Sequence, residues 1–303
     1  MRFGIIYTIL TEENKLLIAE AKKLGVELER MCDTDFVLPI TSFDGSGANG
    51  KGKNSAGIAQ PEAKSYPDAI IQRSSSFNRS FYSSLFLEQQ GSIVVNTSRS
   101  QQICADKAHS SVLLAANGVP TPKTLLSFSG AGARSSIGQL GFPCVIKPAI
   151  GSWGRMVHRL NDTDAADAEI ESREVMGGAS HHVYYLQEHV DKPGRDIRAW
   201  VIGDTVVSAI YRKAFDPSSF ITNTSRGGIA EKCPVNGELE QIVLKATKML
   251  DKGVYGVDLM EGKEGNLLVH EINHNIDFRY SLGVAGINIP QKIVEWTVEQ
   301  ARK

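Results

Sequence analysis

Three side chains that could bind a metal ion lie in an otherwise apolar stretch, VYGVDLMEGKEGNLLVHEIN, residues 254–273. Asp258 lies in its first apolar run, and Glu271 and Asn273 lie at the end of its second. Two carboxylates and an amide oxygen are hard ligands of the kind that Mg²⁺ prefers, together with phosphate and water oxygens. The stretch therefore predicts a magnesium site, although carboxylates at strand ends can also form ordinary salt bridges.

Two strands joined by a turn must position these side chains. The apolar runs 254–260 and 267–272 predict an antiparallel hairpin, because the residues between them are typical of turns. If Asp258 faces Val269, then Asp258 and Glu271 lie diagonally on one face of the hairpin. A slip of one residue in the pairing would move Asp258 to the opposite face.

Composition bounds the class of protein. The chain has 303 residues, of which 42% are hydrophobic, enough for two or three globular domains. Its 33 basic and 34 acidic residues nearly cancel, so no overall charge indicates nucleic acid or membrane as a partner. With no cleavage-site pattern and no apolar run of membrane-spanning length, we expect a cytoplasmic protein. The four cysteines form no C-x-x-C pair, which argues against a zinc site or a disulfide framework.

The N-terminal part has the pattern of a βαβ unit. A strand from Phe3 to Leu10, a helix capped by Thr11 and a strand from Val26 to Met31 predict a small parallel sheet. The next strand, Asp68 to Arg73, ends in Arg73 and a run of serines, at the edge where open α/β sheets bind ligands. Arg73 could bind a substrate carboxylate through two hydrogen bonds, or it could be an ordinary surface arginine.

The middle of the chain contains groups suited to a nucleotide. Lys147 ends a strand and precedes a glycine-bounded loop, residues 151–154, so together they could bind a polyphosphate. The backbone of Gln187 to Val190 could pair with an adenine edge. Lys107 lies within one predicted helix, Arg99 to Ala116, and its position there predicts a solvated side chain.

Two glycine-rich stretches have different interpretations. Residues 220–228, FITNTSRGG, combine Asn223 and Arg226 with glycines, as expected of a cradle for an oxyanion or acyl phosphate, or of a polar turn. Residues 44–57 lack any phosphate-loop pattern and predict a surface insertion. Four histidines lack the spacing of metal ligands and are interpreted as core or surface residues: His181, His182, His270 and His274.

The order of these motifs resembles that of the ATP-grasp carboxylate–amine ligases, and is most similar to the RimK-like LysX and ArgX group. The stretches KPAIGSWGR, VDKPGRDIR, ITNTSRGG and EINHNIDF carry the resemblance, and QRSSSFNRS fits the group's substrate loop. The resemblance covers nearly the whole chain and departs from the group at residues 41–65. It implies an α/β (α+β) ATP-grasp fold with an N-terminal parallel-sheet pre-ATP-grasp domain over residues 1–100. A central lid subdomain at 101–185 and a C-terminal domain at 186–303 would follow.

The resemblance also implies ATP and Mg²⁺ as cofactors and assigns roles to individual residues. The residues implied to bind ATP are Lys107, Lys147, Ser152, Gln187, Glu188, His189, Val190 and Asp196. Those implied to bind magnesium are Asp258, Glu271 and Asn273. Those implied to steady the transferred phosphate and acyl group are Arg212, Asn223 and Arg226. Those implied to bind the substrate are Arg73, Ser75, Ser76, Arg195 and Asn223.

The implied reaction joins the α-amino group of α-aminoadipate to the C-terminal glutamate side chain of the small acidic carrier protein LysW, in lysine biosynthesis. A glutamate–LysW ligase of arginine biosynthesis, or an enzyme for both substrates, remains open, because the two amino acids differ by one methylene. A RimK-like protein glutamate ligase and a nucleotide-binding module with an inactive site also remain open. An acidic carrier predicts a basic surface near the site, with Lys192, Arg195 and Arg279 as candidates. The resemblance further implies a dimer or tetramer.

Overall fold

The computed structural model describes residues 1–40, 66–151, 154–214 and 228–303. The predicted insertion at 44–57 lies outside these ranges, as do Ser152, Asn223 and Arg226. Within the ranges, no helix combines the length and the apolar character that crossing a membrane requires.

The N-terminal part forms the predicted parallel sheet, with strand order β2-β1-β3-β4. Its strands are β1 (Phe3–Tyr7), β2 (Leu28–Cys32), β3 (Ala69–Arg73) and β4 (Ile93–Val95). Helix α1 (Glu12–Lys23) follows β1 and helix α2 (Phe77–Gln89) follows β3. The Thr11 side chain accepts a hydrogen bond from the Asn14 backbone N–H, so the predicted helix cap is confirmed.

The prediction of a single helix from Arg99 to Ala116 is wrong, because the helix is interrupted at Asp106. Helix α3 (Ser98–Ala105) ends there and helix α4 (Lys107–Ala116) begins. The extended Asp106 caps α4 through its carboxylate and forms a β-bridge with Ile150. The break places Lys107 in the first turn of α4, where it is only 8% exposed, so the prediction of a solvated lysine is also wrong.

A central antiparallel sheet has the strand order β5-β8-β6-β7. Its strands are β5 (Thr124–Ser127), β6 (Cys144–Lys147), β7 (His158–Leu160) and β8 (Tyr184–Glu188). Residues of helices α5 (Gly130–Leu140) and α6 (Thr163–Met176) share its apolar core. The domain limit expected between residues 185 and 186 lies inside β8, so we propose that this unit spans residues 124–188 instead.

The C-terminal part is built on an antiparallel sheet with the order β11-β10-β9-β12-β13. Its strands are β9 (Arg195–Gly203), β10 (Thr205–Lys213), β11 (Ile229–Cys233), β12 (Gly253–Glu261) and β13 (Leu267–Asn273). Three helices accompany the sheet: α7 (Gly237–Thr247), α8 (Leu282–Ala285) and α9 (Ile289–Ala301).

Two apolar cores hold this sheet in place. In one, Ile103 of α3, Leu114 of α4 and Val243 of α7 pack with sheet residues. In the other, Trp200 of β9 packs with α9 and with residues of the N-terminal sheet such as Ile5. The N-terminal and C-terminal units therefore share buried apolar surface, which fixes the carboxyl edge of the parallel sheet against the end of β13.

Candidate functional site

The hairpin of β12 and β13 brings the three predicted magnesium ligands together, but not in the predicted register. Its turn is one residue shorter than expected, and Leu259 pairs with Val269. This slip alone would pair Asp258 with His270. A bulge between Asp258 and Leu259 shifts the register again, so Asp258 lies directly opposite Glu271 rather than diagonal to it.

Directly paired residues share one face of a sheet, so the slip and the bulge together leave both carboxylates on one face. Asn273 completes the group, because its side-chain Nδ2 donates to Asp258 Oδ2 at 3.2 Å. The predicted grouping of these side chains is therefore found, while the predicted pairing of Asp258 with Val269 is wrong.

Two arginines hold the Asp258 carboxylate. Arg198 on β9 donates hydrogen bonds to both oxygens, and Arg212 Nη2 on β10 lies 3.0 Å from Oδ1. Asp258 is only 3% exposed. Burial alone would raise the pKa of Asp258, but the two guanidinium groups hold it well below its usual value. The carboxylate is therefore ionised in a buried setting.

Lys107 connects the hairpin to the glycine-bounded loop. Its Nζ lies 3.2 Å from Glu271 Oε1 and donates to the backbone oxygen of Gly151 at 2.5 Å. Burial raises the pKa of Glu271, but the combined effect of Lys107, His270 and Lys147 lowers it below its usual value. One lysine thus contacts both a candidate metal ligand and the candidate phosphate loop.

Lys147 provides a second buried ammonium group. It ends β6 opposite Tyr185 of β8, and its Nζ lies 5.5 Å from the centre of the Tyr185 ring. Burial lowers the pKa of Lys147 to about 8, against the opposing effect of Glu271. The group is still mainly charged at neutral pH, as a phosphate ligand requires.

Asp196 lies two residues before Arg198 on β9, so the two side chains share one face of the strand. Its carboxylate is 2.9 Å from Arg212 Nε and 3.3 Å from Lys192 Nζ. Burial raises the pKa of Asp196, while Arg212 and Lys192 lower it to below its usual value. Carboxylates and cations therefore alternate across this surface.

One cavity of about 730 Å³ joins these groups, a volume typical of small-molecule sites. The predicted site residues that line it are Ser75, Lys107, Lys147, Gln187, Glu188, His189, Val190, Asp196, Arg212, Asp258, Glu271 and Asn273. Gln187 uses its side-chain amide within the sheet, donating to Thr124 Oγ1 and to the Tyr185 hydroxyl.

Three predicted substrate residues do not line the cavity: Arg73, Ser76 and Arg195. The Arg73 side chain instead bonds to other parts of the protein. It donates hydrogen bonds to the backbone oxygen of Ile276 at 2.8 Å and to Asn14 Oδ1 at 3.3 Å. Burial lowers the pKa of Arg73 to about 10. Arg195 donates to both oxygens of Glu261, at 2.6 and 2.9 Å. Ser76 precedes α2 as its cap residue.

The basic surface predicted for an acidic carrier is weaker than expected at its three candidate residues. Lys192 pairs with Asp196, Arg195 pairs with Glu261, and Arg279 Nε lies 3.8 Å from Glu13. A cation next to a carboxylate contributes less uncompensated positive charge.

Two residues that were not predicted as site residues, Arg198 and His270, also line the cavity. The spacing of two between Asp196 and Arg198 could have identified the arginine. The sequence indicates only a core or surface role for His270, but both of its ring nitrogens are buried without a hydrogen-bond partner in the described ranges. Burial and Lys147 lower the pKa of His270 to about 4, so the imidazole is neutral. No pattern in the sequence signals the bulge that places it here.

The donor set fits magnesium. Asp258, Glu271 and Asn273 offer oxygen atoms on adjoining strands, and hard cations bind such atoms. Among the described residues, no three His, Cys, Asp or Glu side chains form a metal-binding group by themselves. This set would therefore suit an ion that takes its remaining ligands from phosphate and water.

Comparison with known proteins gives a consistent result. The model of the RimK-like ATP-grasp domain matches residues 104–297. The α-aminoadipate–LysW ligase LysX of Saccharolobus solfataricus is 33% identical over 291 residues, covering 96% of this chain and 98% of the relative. The glutamate–LysW ligase ArgX of Sulfurisphaera tokodaii is 32% identical over 303 residues, with 100% coverage of both chains.

Solved structures support the same fold. A RimK domain ATP-grasp protein from Sphaerobacter thermophilus superposes with a TM-score of 0.77 at 21% identity, covering 98% of this chain and 100% of the other. The D-alanine–D-alanine ligase of Bacillus anthracis complexed with ATP gives 0.66 at 18% identity, covering 100% and 98%. The predicted ATP-grasp fold with an N-terminal parallel sheet is confirmed.

Proposed function

This chain belongs to the RimK-like ATP-grasp family of ATP-dependent carboxylate–amine ligases, and on that premise we propose that it joins α-aminoadipate to the carrier protein LysW. The α-amino group of the amino acid would form an amide with the side-chain carboxylate of the carrier's C-terminal glutamate, in lysine biosynthesis. Three LysX relatives support this choice, at 32–34% identity over 94–98% of the chain.

The contact of Lys107 with Glu271, at 3.2 Å inside the cavity, is the observation that carries the proposal. It places a candidate phosphate ligand against a candidate magnesium ligand, which is what a site for a metal–nucleotide complex requires. The net charge of the chain, −1, gives no sign of this local arrangement.

The residue types suit ligation through an acyl phosphate. A carboxylate is a poor electrophile, so it must first be phosphorylated before an amine can displace the phosphate. Lys107 and Lys147 would bind the transferred phosphate and offset its charge. Asp258, Glu271 and Asn273 would hold Mg²⁺, which when bound neutralises charge on the phosphates of ATP.

Arg212 is held in the same cavity by Asp196 and Asp258, so its guanidinium is oriented before any ligand binds. We propose that it steadies the acyl phosphate, together with Asn223 and Arg226 of the segment outside the described residues. We also propose that Ser152 contacts the phosphates and that residues 187–190 hold the adenine. The protein needs no covalent nucleophile for this chemistry.

The second candidate is a glutamate–LysW ligase or an enzyme for both amino acids. The ArgX relatives favour it, since they are 28–32% identical over 98–100% of the chain. One methylene distinguishes the substrates and is worth only about 1–3 kcal/mol in a pocket, so a few side chains could decide between them. We further propose a cytoplasmic homo-oligomer, either a dimer or a tetramer.

The deciding experiment measures ADP release and the mass of the carrier. The purified protein is given Mg-ATP and a LysW-type carrier, with α-aminoadipate and glutamate in parallel reactions. Turnover and a mass increase with α-aminoadipate alone are expected. A mass increase with both amino acids would indicate a dual enzyme, and none with either would overturn the carrier-ligase proposal and favour glutamate addition to protein tails.

A further inference from the structure

Asp277 differs from the other carboxylates of the cavity in its partners. Each of the others is matched by a cation or a backbone N–H. The pairs are Asp258 with Arg198, Glu271 with Lys107, Asp196 with Arg212, Asp191 with Lys263, and Glu188 with the Lys123 N–H. Within the described ranges, Asp277 forms no salt bridge, and its buried Oδ1 has no hydrogen-bond partner. A buried carboxylate oxygen without a partner is unfavourable unless a ligand donates a hydrogen bond to it.

A second carboxyl group, that of Glu13, faces Asp277 from the first turn of α1. Burial raises the pKa of Asp277, and the charge and hydrogen bond of Glu13 raise it further. Three arginines act against this rise in the pKa of Asp277. Arg198 and Arg73 act through their charge, and Arg279 acts through a hydrogen bond from its backbone N–H. The two carboxyl groups therefore tend to share a proton, and a cation bound between them would favour the form in which both are ionised.

The position of Asp277 is fixed by its neighbours on the loop after β13. Arg73 binds the backbone oxygen of Ile276 at 2.8 Å, and the Phe278 ring is fully buried. Asn275 Nδ2 donates to the backbone oxygen of Ser74 at the end of β3. The Asp277 carboxylate is therefore held where the loop meets the carboxyl edge of the N-terminal sheet.

This part of the cavity is electrically distinct from the part near the phosphate ligands. Lys107 and Lys147 both lower the pKa of Glu271, whereas the main influences on the pKa of Asp277 are burial, Glu13, Arg198 and Arg279. A cation that enters the cavity would find Asp277 to be the carboxyl group that has no cation of its own in the described ranges. Under the proposed function, the substrate cation that needs such a partner is the α-ammonium group of the amino acid.

We propose that Asp277, supported by Glu13, binds the α-ammonium group of the amino-acid substrate and removes the proton that blocks its attack. This role rests on the proposed ligase function and adds to it a base and an amine-binding residue. A positioned base of this kind typically contributes about 10²- to 10⁴-fold to the rate.

The proposed step is balanced. The Asp277 carboxylate accepts one proton from the ammonium group and becomes a carboxylic acid, which frees the nitrogen lone pair. The nitrogen forms a bond to the acyl carbon, the bond from that carbon to the phosphate oxygen breaks, and phosphate leaves with the electron pair. The nitrogen then loses a second proton to solvent to give the amide.

Hydroxylamine separates this role from a general effect on the site. It is an uncharged amine at neutral pH, so it can attack an acyl phosphate without a base and trap the activated carrier as a hydroxamate. We would compare the wild type with Asp277→Asn, using Mg-ATP and the carrier, with either hydroxylamine or the amino acid as nucleophile. Glu12→Gln is the matched control, because Glu12 is exposed in the same turn of α1 and pairs with Lys15.

We expect Asp277→Asn to lose about 10²-fold or more in kcat/KM for the amino acid while it forms hydroxamate at the wild-type rate. Normal ligation by this variant, or an equal loss of both reactions, would overturn the role of Asp277 and leave the ligase function standing. If the wild type itself forms neither product, the proposed function fails, and this role fails with it.

Glu13→Gln provides a second, independent measurement if Asp277→Asn does not fold. Without the Glu13 charge, the pKa of Asp277 should fall, so the acidic limb of the pH profile of kcat/KM should move to lower pH. The limb should stay in place in Glu12→Gln. An unchanged limb in Glu13→Gln would contradict the proposed coupling of the two carboxyl groups.

Discussion

Arg198 donates hydrogen bonds to both carboxylate oxygens of Asp258, the residue that we propose as a magnesium ligand. The pair is buried, and Arg212 lies 3.0 Å from the same carboxylate. In this arrangement the charge of Asp258 is already compensated by two guanidinium groups. Asp258 therefore becomes available to a metal ion when phosphate groups draw those arginines away from its carboxylate.

Asp258→Asn should abolish ADP formation and destabilise the fold. The substitution leaves Arg198 and Arg212 buried with one anionic partner fewer, and breaking a buried ion pair typically costs about 3–5 kcal/mol. ADP release and urea unfolding would measure the two effects. Asp204→Asn is the control, since Asp204 and its partner Lys252 are exposed and such pairs contribute about 0–1 kcal/mol. Retained turnover in Asp258→Asn would exclude the metal assignment.

Metal binding should depend on nucleotide. Because the Asp258 carboxylate is occupied by arginines, a divalent ion alone meets mainly Glu271 and Asn273. Nucleotide phosphates would attract the arginines and supply further oxygen ligands. We expect Mn²⁺, followed by its electron paramagnetic resonance, to bind about 5- to 150-fold more tightly with a non-hydrolysable nucleotide than without it. Glu271→Gln should lose this enhancement, and equal affinity in both conditions would contradict the prediction.

Nucleotide affinity should fall at alkaline pH because of Lys147. Burial lowers the pKa of Lys147 to about 8, so its charge is present below that pH and is lost as the pH rises through it. Binding of ADP without metal should weaken above pH 8, by up to about tenfold per pH unit for one titrating group. Lys147→Arg keeps its charge throughout this range and should flatten the profile. A wild-type affinity that is constant to about pH 9.5 would show that Lys147 does not bind phosphate.

Two arginines of β9 should differ in how much stability and activity are lost when each is replaced by methionine. Arg195 and Arg198 are three residues apart on β9, so their side chains lie on opposite faces. Arg198→Met leaves Asp258 with one guanidinium fewer and should cost about 3–5 kcal/mol in stability and most of the activity. Arg195→Met breaks a partly exposed pair with Glu261 and should cost about 1 kcal/mol or less.

Unfolding in urea and the KM for the amino acid would separate these two variants. Arg195→Met should keep the wild-type KM, because Arg195 does not line the cavity. A large rise in that KM would restore Arg195 as a substrate ligand, as the resemblance to the family implies.

The sequence determined the chemistry of the site and the class of fold. Three local features carried these predictions: the oxygen donors in residues 254–273, Lys147 at the end of its strand, and the βαβ pattern. Side-chain type, strand period and cap residues can be read from neighbouring positions, so these predictions did not need distant contacts. The confirmed parallel sheet and the family resemblance both follow from such signals.

The tertiary structure decided which partners these groups have. The pairing of Asp258 with Glu271 depends on a bulge at His270, and the burial of Lys107 depends on a bridge between Asp106 and Ile150. These features arise because buried strands must satisfy their hydrogen bonds against distant segments. The contact between Asp277 and Glu13 was also decided by the tertiary structure. Packing of the N-terminal unit against the C-terminal sheet brings these two residues together from opposite ends of the chain.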